Sequence, residues 1–129
     1  MNKCILAVED DLGILEILQL ILLNEGYKVI TYTSGKDVEQ LIEEHHPDLV
    51  LMDIRLGDMD GREICKSIKA DAKYQDTPVV LMSAHAFSDK MMEEAFANDF
   101  IPKPFDIDLL LKRIKLLINK DVSDSVESS

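Results

Sequence analysis

Six residues at four places in the chain carry side chains that can do chemistry together. Glu9, Asp10 and Asp11 follow the apolar run CILAV (4–8), Asp53 follows DLVLM (48–52), Ser83 closes VVLMS (79–83), and Lys103 follows DFIP (99–102). Carboxylates gathered within a few ångströms repel one another, so without a cation at least one pKa is forced upward. A hard divalent ion relieves that repulsion, and Mg²⁺ prefers oxygen ligands while keeping some waters. A hydroxyl and an ammonium at the same edge would complete a phosphoryl site. The cation and Lys103 would neutralise phosphoryl oxygens, Ser83 would donate a hydrogen bond to one, and Asp53 would be the nucleophile that becomes an acyl phosphate. Plainer roles exist for the flanking acids: Asp11 can cap a helix, and Asp58 and Asp60 can be turn residues.

Whether these groups meet depends on the elements that carry them. Apolar runs of strand length (4–8, 28–33, 48–52, 79–83 and 99–102) alternate with segments of helical period (11–26, 36–46, 60–70, 88–98 and 106–120). In the first helix Ile14, Leu18, Ile21 and Leu22 share a face, with Gly26 as its stop; Pro47 ends the second. The expected fold is α/β: a doubly wound (βα)5 arrangement with a five-stranded parallel sheet and helices on both faces. The second strand is the more polar and the fifth the shortest, so they suit the edges. Right-handed crossovers then favour the order 2-1-3-4-5. That order makes the first and third strands neighbours, about 4.8 Å apart, at the place where the winding reverses and open α/β sheets bind ligands. Glu9, Asp10 and Asp53 then share one mouth, and the fourth and fifth strands bring Ser83 and Lys103 to its rim.

The chain has 129 residues and a formal charge of 14 − 25 = −11, which fits one domain with a solvated acidic surface. The charge speaks against phosphate-backbone binding, so no nucleic-acid partner is expected; a metal cation or a basic partner surface is the sharper use for it. Cys4 and Cys65 lie in apolar patterns and read as buried thiols of a reducing compartment. There is no signal-type segment and no apolar run of about 18 residues, so a soluble cytoplasmic protein with no membrane partner is expected. Residues 121–129, acidic and Ser-rich, read as a disordered tail beyond a 1–120 domain.

The motifs ILAVEDD, LVLMDIRLGDMDG, VVLMSAHA and FIPKPF, in this order and spacing, resemble the receiver domain of the two-component response regulator family. The similarity runs from about Lys3 to Ile118 and implies the flavodoxin-like receiver fold. It implies that Asp53 is the phospho-acceptor, with Asp10 a direct Mg²⁺ ligand, Glu9 a ligand through water and the Arg55 backbone carbonyl another; Mn²⁺ would be a substitute. Ser83 fills the hydroxyl position, Lys103 the lysine position and Phe100 the aromatic switch position. The bond before Pro104 is expected to be cis. Arg55 and His85 stand at positions that tune phosphoryl lifetime, and neither orients an attacking water as a carboxylate or amide would, so slow self-dephosphorylation is expected.

Two residues depart from the family pattern. Gly57 stands where Pro is frequent, which predicts a more mobile loop. Phe96 stands where a Gly commonly ends the fourth helix; Phe adopts positive φ only at a cost, so Asn98 is the expected left-handed residue.

The implied function is a phospho-accepting signalling domain rather than a classical enzyme. A histidine kinase or histidine phosphotransfer protein donates the phosphoryl group, and the face of the fourth helix, fifth strand and fifth helix is re-presented to an output partner. Met91 and Met92 lie on that helix, as core or as adaptable contact residues. A phosphorylation-dependent homodimer is admitted, and no output domain is expected in the chain. A phosphatase of the haloacid dehalogenase type needs an Asp where Arg55 stands, and a flavodoxin-like cofactor binder needs a phosphate loop where Glu9, Asp10 and Asp11 would repel phosphate.

Overall fold

The computed structural model describes residues 2–84 and 89–119. Its strands are β1 (Cys4–Val8), β2 (Lys28–Tyr32), β3 (Leu49–Asp53), β4 (Arg55–Leu56), β5 (Met59–Asp60), β6 (Val79–Ser83) and β7 (Asp99–Pro102). Its helices are α1 (Leu12–Asn24), α2 (Val38–His45), α3 (Gly61–Ala70), α4 (Asp89–Ala95) and α5 (Ile107–Ile118). Five strands form one parallel sheet in the order β2-β1-β3-β6-β7. This is the expected 2-1-3-4-5 order, with the short antiparallel pair β4–β5 inserted between the third strand and the third helix.

The alternation along β1, β3 and β6 divides the core in two. Leu6, Val8, Val50, Met52, Val79 and Leu81 point to one face, where Val38 and Ile42 of α2, Ile64, Cys65 and Ile68 of α3, and Ala95 of α4 cover them. Ile5, Leu49, Leu51, Val80 and Met82 point to the other, under Leu18 and Leu22 of α1 and Leu110, Ile114 and Ile118 of α5. Both thiols are free and buried, and burial pushes Cys65 up to about 11, so it stays a protonated apolar filler.

The helices differ from expectation mainly at their ends. Helix α1 buries Leu15 with Leu18 and Leu22, leaving Ile14 and Ile21 half-buried. Helix α2 starts at Val38 rather than at 36, because Asp37 sits at φ 64 and the Lys36 amide bonds the Ser34 hydroxyl. The expected left-handed turn after α4 is occupied by Phe96 itself, at φ 60, and not by Asn98. Asn98 is held otherwise: its amide donates to the Val79 carbonyl and its side-chain oxygen accepts from the Val79 amide, both at 2.9 Å. The Lys103–Pro104 bond is cis. The expected tail at 121–129 lies outside the described residues.

Candidate functional site

Each site residue stands where a strand runs out. β1 and β3 pair with Val8 opposite Met52, so the residues that follow, Glu9 and Asp53, emerge side by side. Asp53 pairs with Met82, one residue before Ser83, and the Lys103 amide bonds the Ser83 carbonyl at 2.8 Å. Four consecutive strand ends therefore line up as expected. One carboxylate oxygen each from Glu9, Asp10 and Asp53 lie within 4.8 Å of one another.

The three carboxylates are not equivalent. Glu9 is fully buried, Asp53 nearly so, and Asp10 exposed. The Lys103 ammonium donates to Glu9 and, at 2.9 Å, to Asp53. Burial pushes the Glu9 carboxyl up to about 7; Lys103 pulls it back and the Asp53 charge pushes it further up. Burial works against the Lys103 charge, but its hydrogen bonds to Glu9 and Asp53 outweigh that and raise its pKa. A cluster whose innermost carboxylate is driven toward neutrality is the electrostatic setting in which a hard cation binds favourably, and an all-oxygen donor set suits Mg²⁺.

A cavity of about 470 Å³ opens over this cluster. Asp53, Ser83 and Lys103 line it, with Arg55, Arg62 and Met91 among the rim residues. Glu9 and Asp10 do not reach it, so Asp53 is the carboxylate presented to an incoming group. Its backbone is fixed by a close approach: at Gly61 an added Cβ would stand 2.3 Å from the Asp53 carbonyl oxygen. The Gly61 amide also bonds the Ile54 carbonyl at 2.6 Å.

A family model for the response regulator receiver domain matches residues 5–115. The chain belongs to that family. Among solved structures, it is 28% identical to a CheY-like response regulator receiver domain protein from Methanospirillum hungatei JF-1, covering 96% of this chain and 99% of that one, with a TM-score of 0.86. It is 30% identical to the response regulator TrrA of Thermotoga maritima in complex with Mg²⁺–BeF, covering 89% and 98%, with a TM-score of 0.80. A signal receiver domain of a histidine kinase from Syntrophus aciditrophicus is 27% identical over 92% and 91%, with a TM-score of 0.81.

In this receiver domain the plainer roles of the flanking acids hold. Asp11 caps α1 by accepting from the Ile14 amide at 3.1 Å, and Asp60 caps α3 through the Arg62 amide at 2.9 Å. Asp60 also grips the Arg62 guanidinium, which holds the Asp60 carboxyl below the usual range. Phe100 is half-buried and packs against the α2–α3–α4 side of the core, and Met91 and Met92 are half-buried on α4. His85 lies outside the described residues. Sequence reasoning missed the β4–β5 hairpin and a bond from the Gly57 amide to Asp10. The signal was present: a Gly-Asp pair between Leu56 and Met59 is a two-residue hairpin turn. No helix among the described residues is long and apolar enough to cross a membrane.

Proposed function

We propose that this receiver domain takes a phosphoryl group on Asp53 from a phosphohistidine of a kinase or phosphotransfer protein. The observation that carries this is Lys103 spanning Glu9 and Asp53 while, of the three clustered carboxylates, Asp53 alone lines the cavity. In the transfer an Asp53 oxygen attacks phosphorus, the P–N bond breaks, and its electron pair leaves on the imidazole nitrogen, which takes up a proton. Lys103 then has a phosphoryl oxygen within reach of the ammonium that held the carboxylate, and Ser83 donates its hydroxyl to another. Asp10, Asp53 and the Arg55 carbonyl would hold Mg²⁺, with Glu9 behind them. When bound, the cation supplies neutralisation of the phosphoryl oxygens.

Drawing Ser83 toward the phosphoryl group would shift the arrangement of α4, β7 and α5, and Phe100 would move with it. Arg55 on the cavity rim is placed to pair with phosphoryl oxygens and shield them, giving a lifetime of about minutes to hours. The test is intact-mass spectrometry after incubation with acetyl phosphate and Mg²⁺. The wild type should gain one phosphoryl adduct that chelator abolishes and Asp53→Asn lacks; equal yield on the variant would overturn the assignment. An Arg55→Ala variant should lose its adduct faster than the wild type.

A further inference from the structure

The β4–β5 hairpin does something for Asp10 that no side chain among the described residues does. Its ladder is two residues deep, Arg55 opposite Asp60 and Leu56 opposite Met59, and its turn is Gly57-Asp58. Gly57 has φ 62, in the left-handed region, and Asp58 has no positive φ. At the tip of this turn the Gly57 amide donates to Asp10 Oδ2 at 3.1 Å. Asp10 is exposed and has no ion pair among the described residues. An exposed Asp side chain is otherwise free to rotate. The bond fixes one oxygen of a carboxylate that stands in the acidic cluster with Glu9 and Asp53.

We infer that the Gly57 amide is a positioning group for Asp10, and that the hairpin is a strap whose closure is coupled to cation binding. This rests on the reading of the carboxylate cluster as a Mg²⁺ site. A pre-oriented ligand loses less freedom when the cation arrives, so affinity rises. By linkage the effect is mutual: a cation that fixes Asp10 also steadies the hairpin tip. Only a residue with an N–H and access to positive φ can do this. Nothing lies within 4 Å of a Cβ added at Gly57, so the requirement is conformational rather than steric. Proline fails on both counts, having no N–H and a φ fixed near −65°. Asparagine keeps the N–H and tolerates positive φ better than most residues.

The test is Mg²⁺ titration by calorimetry of the wild type, Gly57→Pro and Gly57→Asn, with amide hydrogen exchange at Gly57 followed by NMR in the wild type. Gly57→Pro should bind Mg²⁺ roughly five- to tenfold more weakly, the scale of one lost charge-assisted hydrogen bond partly replaced by water. Gly57→Asn should stay within about twofold of the wild type. Mg²⁺ should slow exchange of the Gly57 amide at least threefold, by the reciprocity of coupled sites. Equal affinity of wild type and Gly57→Pro, or exchange at Gly57 indifferent to Mg²⁺, overturns the strap while leaving the cation site standing. A wild type that takes up no Mg²⁺ overturns both. The exchange measurement decides the matter even where the proline variant does not fold.

Discussion

Helices α1 and α4 end in the same way and are held very differently. After α1 the Gly26 amide bonds the Leu23 carbonyl at 3.0 Å and the Tyr27 amide bonds Leu22 at 3.2 Å, with Gly26 at φ 91. After α4 the Phe96 amide bonds Glu93 at 3.1 Å and the Ala97 amide bonds Met92 at 3.3 Å, with Phe96 at φ 60. Both are Schellman caps. Yet α1 has 13 residues and buries Leu15, Leu18 and Leu22, while α4, over its described residues Asp89–Ala95, buries Ala95. The α4 cap also forces a left-handed backbone on a Phe whose side is 60% exposed. The difference places rigidity where carboxylates must be held, after β1, and loose seating beside β6 and β7, where a signal would be passed on. A segment that moves must come from the weakly anchored end of the stability range.

The sharpest way to break this contrast is to truncate an apolar side chain on the inner side of each helix. Leu18→Ala empties a fully buried site and should cost about 3 kcal/mol, read from urea midpoints. Met92→Ala, half-buried on α4, should cost less than about 1 kcal/mol. Similar losses in both would show α4 to be as firmly seated as α1.

A second measurement isolates the charge held beside α1. The folded Glu9 carboxyl is raised to about 7 from an ordinary 4.5. Between these values the folded protein keeps a proton that the unfolded chain has lost, so stability must fall as pH rises from about 4.5 to 7, by up to about 3 kcal/mol. Lys103 has the same sense in a higher window: its raised pKa stabilises the fold below its ordinary 10.5, and that contribution is lost as pH rises through the folded value. Urea midpoints in chelator should show the acid-side slope, Mg²⁺ should flatten it by competing with the proton, and Glu9→Gln should abolish it. Phe96 variants should leave the slope unchanged, since that residue belongs to the other region.

The smallest effects come from exchanging the caps. Gly26→Ala forces a Cβ into positive φ and should cost about 1 kcal/mol. Phe96→Gly removes that strain and should gain about 0.5 kcal/mol after the glycine's extra unfolded freedom is subtracted. A loss on Phe96→Gly would mean that the ring itself anchors α4.

Much of the fold is legible because buried parallel strands announce themselves as apolar runs, and the strand order follows from which runs are polar or short. The ends of those runs locate Glu9, Asp53, Ser83 and Lys103 for the same reason. What escapes the sequence is local geometry decided by distant partners. Strands of two residues, as in β4 and β5, are too short to show a period, so the Gly57-Asp58 pair between them is the one trace the hairpin leaves in the sequence. Asn98, by propensity the better left-handed residue, is instead held by its two bonds to Val79, and Phe96 takes the strained conformation. Glycine at position 57 reads as slack, but its backbone is used as a donor.

The outer edge of the sheet, β7, carries one more consequence. Because the Lys103 amide points inward to Ser83, alternation turns the amides of Phe100 and residue 102 outward. The Phe100 amide is already taken by the Asp99 carboxylate at 2.7 Å, which Arg113 of α5 also grips. Position 102 is proline and has no N–H. An approaching strand from another molecule therefore finds outward carbonyls on β7 but no free N–H to match them, which disfavours growth of the sheet by strand addition on that side. Association there is left mainly to side chains, and so to sequence, rather than to the backbone ladder that any exposed strand could join.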